Sequence, residues 1–286
     1  MINKKHIKTR AKINLTLDVL AKRKDGYHEV EMIMQSIDLY DEMEFKVTQG
    51  DIIIHCEHSE VPKNEDNIVY TAAKLLKKEY NVDKGIEITI HKYIPVAAGL
   101  AGGSTNAAGT LKALNELWNL NLPIKRLMEL GGSIGADIPF CLLGGTVLAT
   151  GIGEVLKSLN PLPPTWLVLV KPEFSVSTSW AYQNINFNKK LKHPNTNKVL
   201  KAIDKRDIEG AIPYLQNILE DVTSIAYPEI KSIKNRMLNL GSRGVLMSGS
   251  GPTIFGICKC KQDAQYIYDQ LKKEYKDVFI TKTYNE

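Results

Sequence analysis

Between Pro95 and Leu114 the chain reads PVAAGLAGGSTNAAGTLKAL, with glycine at 99, 102 and 103, hydroxyls at Ser104 and Thr105, and then a run of helix formers. Glycine lets backbone approach a ligand closely and reach dihedrals closed to other residues. Ser or Thr ahead of a helix is an ordinary N-cap, so these two predict where the helix starts. Two readings follow. The loop either turns its N–H groups toward an anion, backed by the helix dipole, or is a tight turn capping a buried helix. No lysine follows the glycines in GxxxxGK[ST] register, and Gly99 and Gly102 lack GxGxxG spacing, so both common phosphate fingerprints are excluded. The HRD and DFG landmarks of protein kinases are absent as well.

Other reactive side chains are fewer. Asp137, in SIGADIP, precedes Ile138-Pro139 and reads from local pattern as a helix N-cap. Lys12 lies on the polar face of an alternating segment, the usual place for a solvated lysine. Tyr27 and His28 follow the turn Asp25-Gly26, an exposed position where adjacent rings either face a ligand or touch at a hairpin tip. Gly131 to Gly135 satisfies G-x-S-x-G around Ser133. However, a nucleophile elbow follows a strand, the IKRLMEL ahead of it reads as a helix ending at Gly131-Gly132, and only His193 lies downstream. The cysteines at 56, 141, 258 and 260 lack CxxC spacing, which predicts reduced thiols and no metal site; Cys258 and Cys260 would share one face of a strand.

With 286 residues, 43% hydrophobic and 24% charged, the chain is long enough for one large or two ordinary cores. No segment reaches the apolar length of a membrane span, and the basic N-terminus lacks an apolar h-region, so a cytoplasmic protein without membrane partners is expected. A net charge of +5 suits phosphorylated small molecules. The basic tract from Lys189 to Arg206 lacks interleaved aromatics, which predicts a solvated helical face and no nucleic-acid platform.

The elements that must hold these residues are legible from periodicity. Ile7 to Val19 alternate strictly with polar residues, predicting a half-buried strand with Lys12, Asn14 and Thr16 on one face. Asp25-Gly26 predicts a hairpin, and MEFKVT and DIIIHCE a second strand pair around Gly50. Asp66 or Asn67 caps the helix IVYTAAKLLKKEY, and the strand GIEITIHKYI feeds the glycine loop. Ala107, Leu111, Leu114 and Trp118 recur at helical spacing and should face a core. A strand pair follows around GGTVLATGIGEVL. Three prolines in LNPLPPTW predict a domain boundary that divides 1–160 from 161–286. Beyond it come the strand WLVLVKP, the helix PEIKSIKNRMLNL, a strand pair about SGSGP, the helix KQDAQYIYDQLKKEY and the strand DVFITKTY. Irregular mixing of strands and helices argues an α+β fold.

Three patches, in this order along the chain, carry a resemblance: PVAAGLAGGST, SIGADIP and MSGSGPTIF. Together they resemble the signatures of the GHMP kinases, which phosphorylate small-molecule alcohols. AKINL and DGYHE, in the first forty residues, resemble the members that act on 4-diphosphocytidyl-2-C-methyl-D-erythritol, and the Gly-Glu-His patch of mevalonate kinases and galactokinases is absent. Where the family has Gly-Leu-Gly-Gly-Gly-Ser-Ser, this chain carries Ala101 and Thr105. Alanine favours negative φ and threonine keeps the hydroxyl, so adenine-nucleotide affinity is the property these two changes bear on.

The resemblance implies a two-domain fold, with a ribosomal-protein-S5-like N-terminal domain for ATP binding and catalysis and a ferredoxin-like C-terminal domain for substrate. It implies ATP with Mg²⁺ as phosphoryl donor, a cytidine-diphosphate-linked methylerythritol as acceptor in non-mevalonate isoprenoid synthesis, and a monomer or homodimer. Residue by residue, it puts the catalytic aspartate on Asp137 with Lys12 as its partner. The ATP loop falls on Pro95, Val96, Ala97, Ala98, Gly99, Leu100, Ala101, Gly102, Gly103, Ser104 and Thr105. Substrate contacts fall on Asn14, Tyr27, His28, Thr178 and Tyr182, with Trp180 competing for Tyr182's place. Ser248 to Thr253 either closes the site or is a structural glycine turn. A homoserine-type GHMP kinase is the nearest rival. An RNA-binding role would leave the loop, Lys12 and Asp137 together unexplained.

Overall fold

The computed structural model describes residues 3–187 and 191–285, so Lys189 and Lys190 of the basic tract lie outside the described residues. In chain order the elements are β1 (Lys4–Lys22), β2 (His28–Gln49), β3 (Ile52–Cys56), α1 (Ile68–Glu79), β4 (Lys84–His91), α2 (Gly102–Leu117), α3 (Ile124–Ile134), α4 (Ile138–Leu143), β5 (Thr146–Thr150), β6 (Val155–Ser158) and β7 (Trp166–Lys171). There follow α5 (Thr178–Gln183), α6 (Thr196–Asp204), α7 (Ile208–Ala211), β8 (Gln216–Asn217), α8 (Ile218–Ala226), α9 (Glu229–Asn239), β9 (Gly244–Met247), β10 (Ile254–Cys258), α10 (Lys261–Leu271) and β11 (Asp277–Lys282). None of these helices is long and apolar enough to cross a membrane. The chain folds into two compact units that interleave along the sequence. One takes the chain up to Ala11, Leu39–Val96 and Ala101–Leu143; the other takes Lys12–Asp38, Ala97–Leu100 and everything from Gly144 onward.

In the first unit β4 runs antiparallel to β2, from Glu42↔His91 to Gln49↔Lys84, and parallel to β3, from Ile52↔Ile86 to Cys56↔Ile90. The segments flanking Gly50 are therefore not partners, contrary to the expected strand pair: β4 lies between them. The asparagine of the two candidate caps starts α1, with Asn67 accepting from Val69 N. Ala107, Leu111, Leu114 and Trp118 all face the core, as their spacing predicts. Small residues let α2 sit directly on β1: a Cβ at Gly109 would lie 2.4 Å from Thr9 Cγ2. α3 continues through Gly131 and Gly132 to Ile134 rather than ending there, because the glycine surface is covered; a Cβ at Gly131 would meet Ile138 Cγ2 at 2.6 Å.

In the second unit β7, β9, β10 and β11 form one antiparallel sheet in the order β11-β7-β10-β9, with α9 before β9 and α10 between β10 and β11. That is the split β-α-β arrangement expected of a ferredoxin-like domain. β5 pairs with β2 and β6, and β8 pairs in parallel with β1 through Thr16↔Gln216 and Leu17↔Asn217. β1 is not half-buried: Ala11 to Val19 are buried throughout, polar positions included, because β1 is an interior strand. Cys258 and Cys260 do not share a strand face, since β10 ends at Cys258 and Cys260 caps α10. Burial pushes the Cys258 thiol up to about 12, which keeps it protonated and inert.

Candidate functional site

Residues 97, 99 and 101 have φ of 51°, 73° and 57°, while Ala98 and Leu100 do not enter the left-handed region. Such alternation turns successive N–H groups toward one side, a backbone nest that suits anions. Ala101 thus departs from the negative φ expected of alanine. The helix does not require it, since an N-cap is ordinarily extended; Ala101 is the N-cap of α2, its carbonyl receives Thr105 N at 2.8 Å, and its positive φ belongs to the loop. Ser104 and Thr105 are not the cap; both lie inside the first turn of α2, and the cap makes no side-chain hydrogen bond. The first amides of α2 are left without a capping group.

Three consecutive carbonyls of the loop are held by donors of the same unit. Ala98 O receives Thr253 N at 3.4 Å, Gly99 O receives the Ser248 hydroxyl at 3.0 Å, and Leu100 O receives Lys12 N at 3.1 Å. In a trans peptide the N–H points opposite to its C=O. The amides of Gly99, Leu100 and Ala101 therefore face away from these donors, and they donate to no other described residue. Gly99 itself admits no side chain, for a Cβ there would lie 2.4 Å from Ser248 O and 2.9 Å from Gly251 O.

Lys12 and Asn14 meet as their shared strand face predicts, with the Lys12 ammonium donating to Asn14 Oδ1 at 2.9 Å. Both are buried, so Lys12 is not the solvated lysine its local pattern suggests. Asp137 belongs to the first unit, ahead of α4, where its carbonyl accepts Cys141 N at 3.0 Å. Ser133 sits within α3 with its hydroxyl donating to Leu130 O, which removes the nucleophile-elbow reading.

Tyr27 and His28 leave the expected hairpin turn, closed by Arg23 N to Tyr27 O at 2.8 Å. Asp25 accepts from Tyr27 N and from Arg23, which holds its carboxyl below the usual range, and Arg23 also reaches Glu29. Tyr27 is 59% exposed. The His28 ring lies 5.3 Å from Tyr182 and is stacked at 6.1 Å on Phe187, an aromatic that the sequence reading passed over. Trp180 instead packs edge-on against Tyr227 at 5.9 Å, so Tyr182 is the ring of that helix that faces His28. Burial, aided by Lys22, pushes the His28 pKa below its ordinary value. Thr178 shares a hydrogen bond with Ser250 at 3.0 Å, which ties α5 to the glycine turn.

One further group escaped the sequence reading. Asp41, fully buried, accepts Tyr93 N at 2.7 Å and Ile94 N at 2.8 Å on one oxygen, and Lys92 and Asn106 on the other. A single carboxylate thereby ties the entry of the glycine loop to the first turns of α2. Its signal was present: Asp41 occupies the apolar phase of Leu39, Met43, Phe45 and Val47.

Comparison with known proteins shows the family. The model of the GHMP kinases N terminal domain matches residues 67–145, and that of the GHMP kinases C terminal domain matches 199–277. The 4-diphosphocytidyl-2-C-methyl-D-erythritol kinase of Alkaliphilus oremlandii is 49% identical over 282 residues, covering 98% of this chain and 97% of its own. That of Clostridium botulinum is 47% identical over 276 residues, covering 96% and 99%. The crystal structure of a 4-(cytidine 5'-diphospho)-2C-methyl-D-erythritol kinase superposes with a TM-score of 0.85 at 31% identity, covering 99% of this chain and all of that one. The chain belongs to the GHMP kinases, and within them to the 4-diphosphocytidyl-2-C-methyl-D-erythritol kinases.

Proposed function

We propose that this chain transfers the terminal phosphoryl group of ATP to the 2-hydroxyl of 4-diphosphocytidyl-2-C-methyl-D-erythritol, giving the 2-phosphate and ADP in non-mevalonate isoprenoid synthesis. The observation that carries the reading is the loop whose carbonyls are pinned and whose amides at 99, 100 and 101 stay free. Phosphoryl transfer asks a protein mainly for positioning and charge neutralisation, and fixed amides supply both without reorganising. Residues 95–105 hold the phosphates in this reading. The donors there are amides and hydroxyls, which suit phosphate oxygens and leave the accompanying Mg²⁺ to the triphosphate and water.

Asp137 then accepts or orients the proton of the acceptor hydroxyl, a poor nucleophile by itself. Lys12, fixed by Asn14, neutralises charge on the migrating phosphoryl group. Tyr27 stacks on cytosine, and His28, kept neutral by burial and braced by Tyr182, reads the base edge. Thr178 lies at the substrate side of the glycine turn. Residues 1–160 carry the ATP-binding and catalytic groups, and 161–286 add substrate contacts.

The test is ADP release in the presence of each candidate acceptor. Turnover with the cytidine-diphosphate substrate, and none with homoserine or mevalonate, is the expected result. Equal turnover with homoserine would replace the reading with its nearest rival.

A further inference from the structure

Asn217, 2% exposed on β8, spends its whole side-chain amide on three partners. Nδ2 donates to Met247 O at 2.8 Å and to Gly249 O at 2.7 Å, while Oδ1 accepts Leu219 N at 3.0 Å as the cap of α8. Both donated bonds reach carbonyls that flank Ser248. The rest of Asn217 is fixed through β8, where it pairs with Leu17. Glu220, one turn into α8, accepts Met247 N at 2.9 Å and so secures the same turn from the other side.

Ser248 donates to Gly99 O, and Gly249 approaches Gly99 so closely that a Cβ there would lie 3.1 Å from Gly99 O. The placement of the 248–251 turn therefore sets the Gly99 peptide plane, and with it the direction of the Leu100 amide. We propose that Asn217 is a positioning residue for ATP: by clamping the carbonyls on both sides of Ser248 it aims the amides of the glycine loop at the phosphates. The inference rests on the phosphate-binding reading given above and adds a residue that touches no reactant.

Asn217→Asp separates the two jobs of this side chain. The carboxylate still accepts Leu219 N at the start of α8, where negative charge is favoured. Toward Met247 O and Gly249 O it offers only acceptors, so the clamp becomes repulsive. Asn217→Ser retains a capping hydroxyl too short to reach either carbonyl. In steady-state assays of the full chain, both variants should raise the KM for ATP at least tenfold and leave the KM for the cytidine-diphosphate substrate within twofold. Combined with Ser248→Ala, Asn217→Asp should add little to the ATP effect of Ser248→Ala alone, because both act through one contact.

An ATP KM within twofold of the unmodified chain in the aspartate variant would overturn the proposal. Additive effects in the double variant, or loss of folding in both single variants, would also overturn it, since Asn217 would then serve the fold alone. Failure of the unmodified chain to turn over ATP with the cytidine-diphosphate substrate would instead remove the reading of function.

Discussion

Gly99→Ala is the most direct perturbation of the phosphate loop, because the structure specifies what the added methyl group meets. The new Cβ would lie 2.4 Å from Ser248 O and 2.9 Å from Gly251 O, both main-chain atoms. Ordinary contact between carbon and oxygen begins near about 3.4 Å, so the loop and the turn must separate by about 1 Å. Neither partner is a flexible side chain that could swing away. Alanine at a φ of 73° adds left-handed strain of about 1–2 kcal/mol. Overpacking contributes a further 1–3 kcal/mol or so. The folded state should therefore lose about 2–5 kcal/mol, read as a fall of several degrees in Tm.

Catalysis should suffer more than stability. A displacement of about 1 Å in a positioning group can reduce rate about a hundredfold. Measured at a temperature where the variant is folded, kcat/KM for ATP should fall by about that factor, with the KM for the cytidine-diphosphate substrate unchanged. Gly103→Ala is the matched control: its Cβ would meet only Ile68 Cγ2 at 3.5 Å, in the first turn of α2. Without ATP it should be at least as stable as the unmodified chain, since alanine is favoured over glycine in a helix by up to about 1 kcal/mol. If Gly99→Ala kept kcat/KM for ATP within threefold of normal, the argument that pinned peptide planes aim the amides would be wrong.

Ala101→Gly should act in the opposite direction, because Ala101 holds a φ of 57°. Relief of left-handed strain is partly offset by the added freedom of the unfolded chain, leaving a gain of about 0.5 kcal/mol and an ATP KM equal or lower; chemical denaturation that shows a net loss would contradict this. Asp137→Asn should lower kcat at least about a hundredfold while ATP binding, measured at equilibrium, stays within twofold; near-normal turnover would withdraw the aspartate from the chemistry. For His28, burial holds the folded pKa below 6.5, so between that lower value and 6.5 the unfolded chain binds a proton that the folded chain does not. Its contribution to stability is therefore intact above 6.5 and is lost as pH falls through that window. The KM for the cytidine-diphosphate substrate should likewise stay flat until below 6.5 and then rise, and His28→Gln should abolish the inflection; an unchanged pH profile in that variant would remove His28 from base recognition.

Much of this arrangement could be read before any coordinates. The strand at Ile7 to Val19, the Asp25-Gly26 turn and the helical spacing of Ala107 to Trp118 depend on neighbours in sequence and form as expected, although the strand is buried on both faces where its alternation predicted one. What escaped depended on distant partners. Gly50 looks like a turn between paired strands because both flanks have strand character, yet β4 enters from more than thirty residues away and takes both edges. Ser104 and Thr105 look like caps because hydroxyls favour that role, but the cap position falls on Ala101, whose conformation serves the loop and not the helix. Asn217 is legible as a cap for α8. Its bonds to Met247 and Gly249 link positions 30 and 32 residues apart, beyond any local rule.

β1 buries polar side chains at positions where apolar packing alone would serve stability. Thr9, Lys12, Asn14, Thr16 and Asp18 are all nearly inaccessible, along an interior strand where apolar side chains would pack without penalty. A buried polar group is destabilising unless it is paired. Thr9 receives Asn106, Lys12 and Asn14 hold each other, Thr16 receives Ile33 N, and Asp18 meets His193 at 2.8 Å. Thr16 and Thr9 secure neighbouring structure, and replacing them with valine would remove one bond at Thr16 and two at Thr9, which also donates to Asp41 O. Lys12 and Asn14 are different. Their mutual bond holds both side chains in a place where solvation is scarce, next to the backbone that fixes Leu100 O. Two apolar side chains of similar volume would avoid the cost of burying these polar groups. In the proposed reading the pair stands on the strand that also pins the glycine loop, where phosphoryl transfer asks for groups already in place before the reactant arrives.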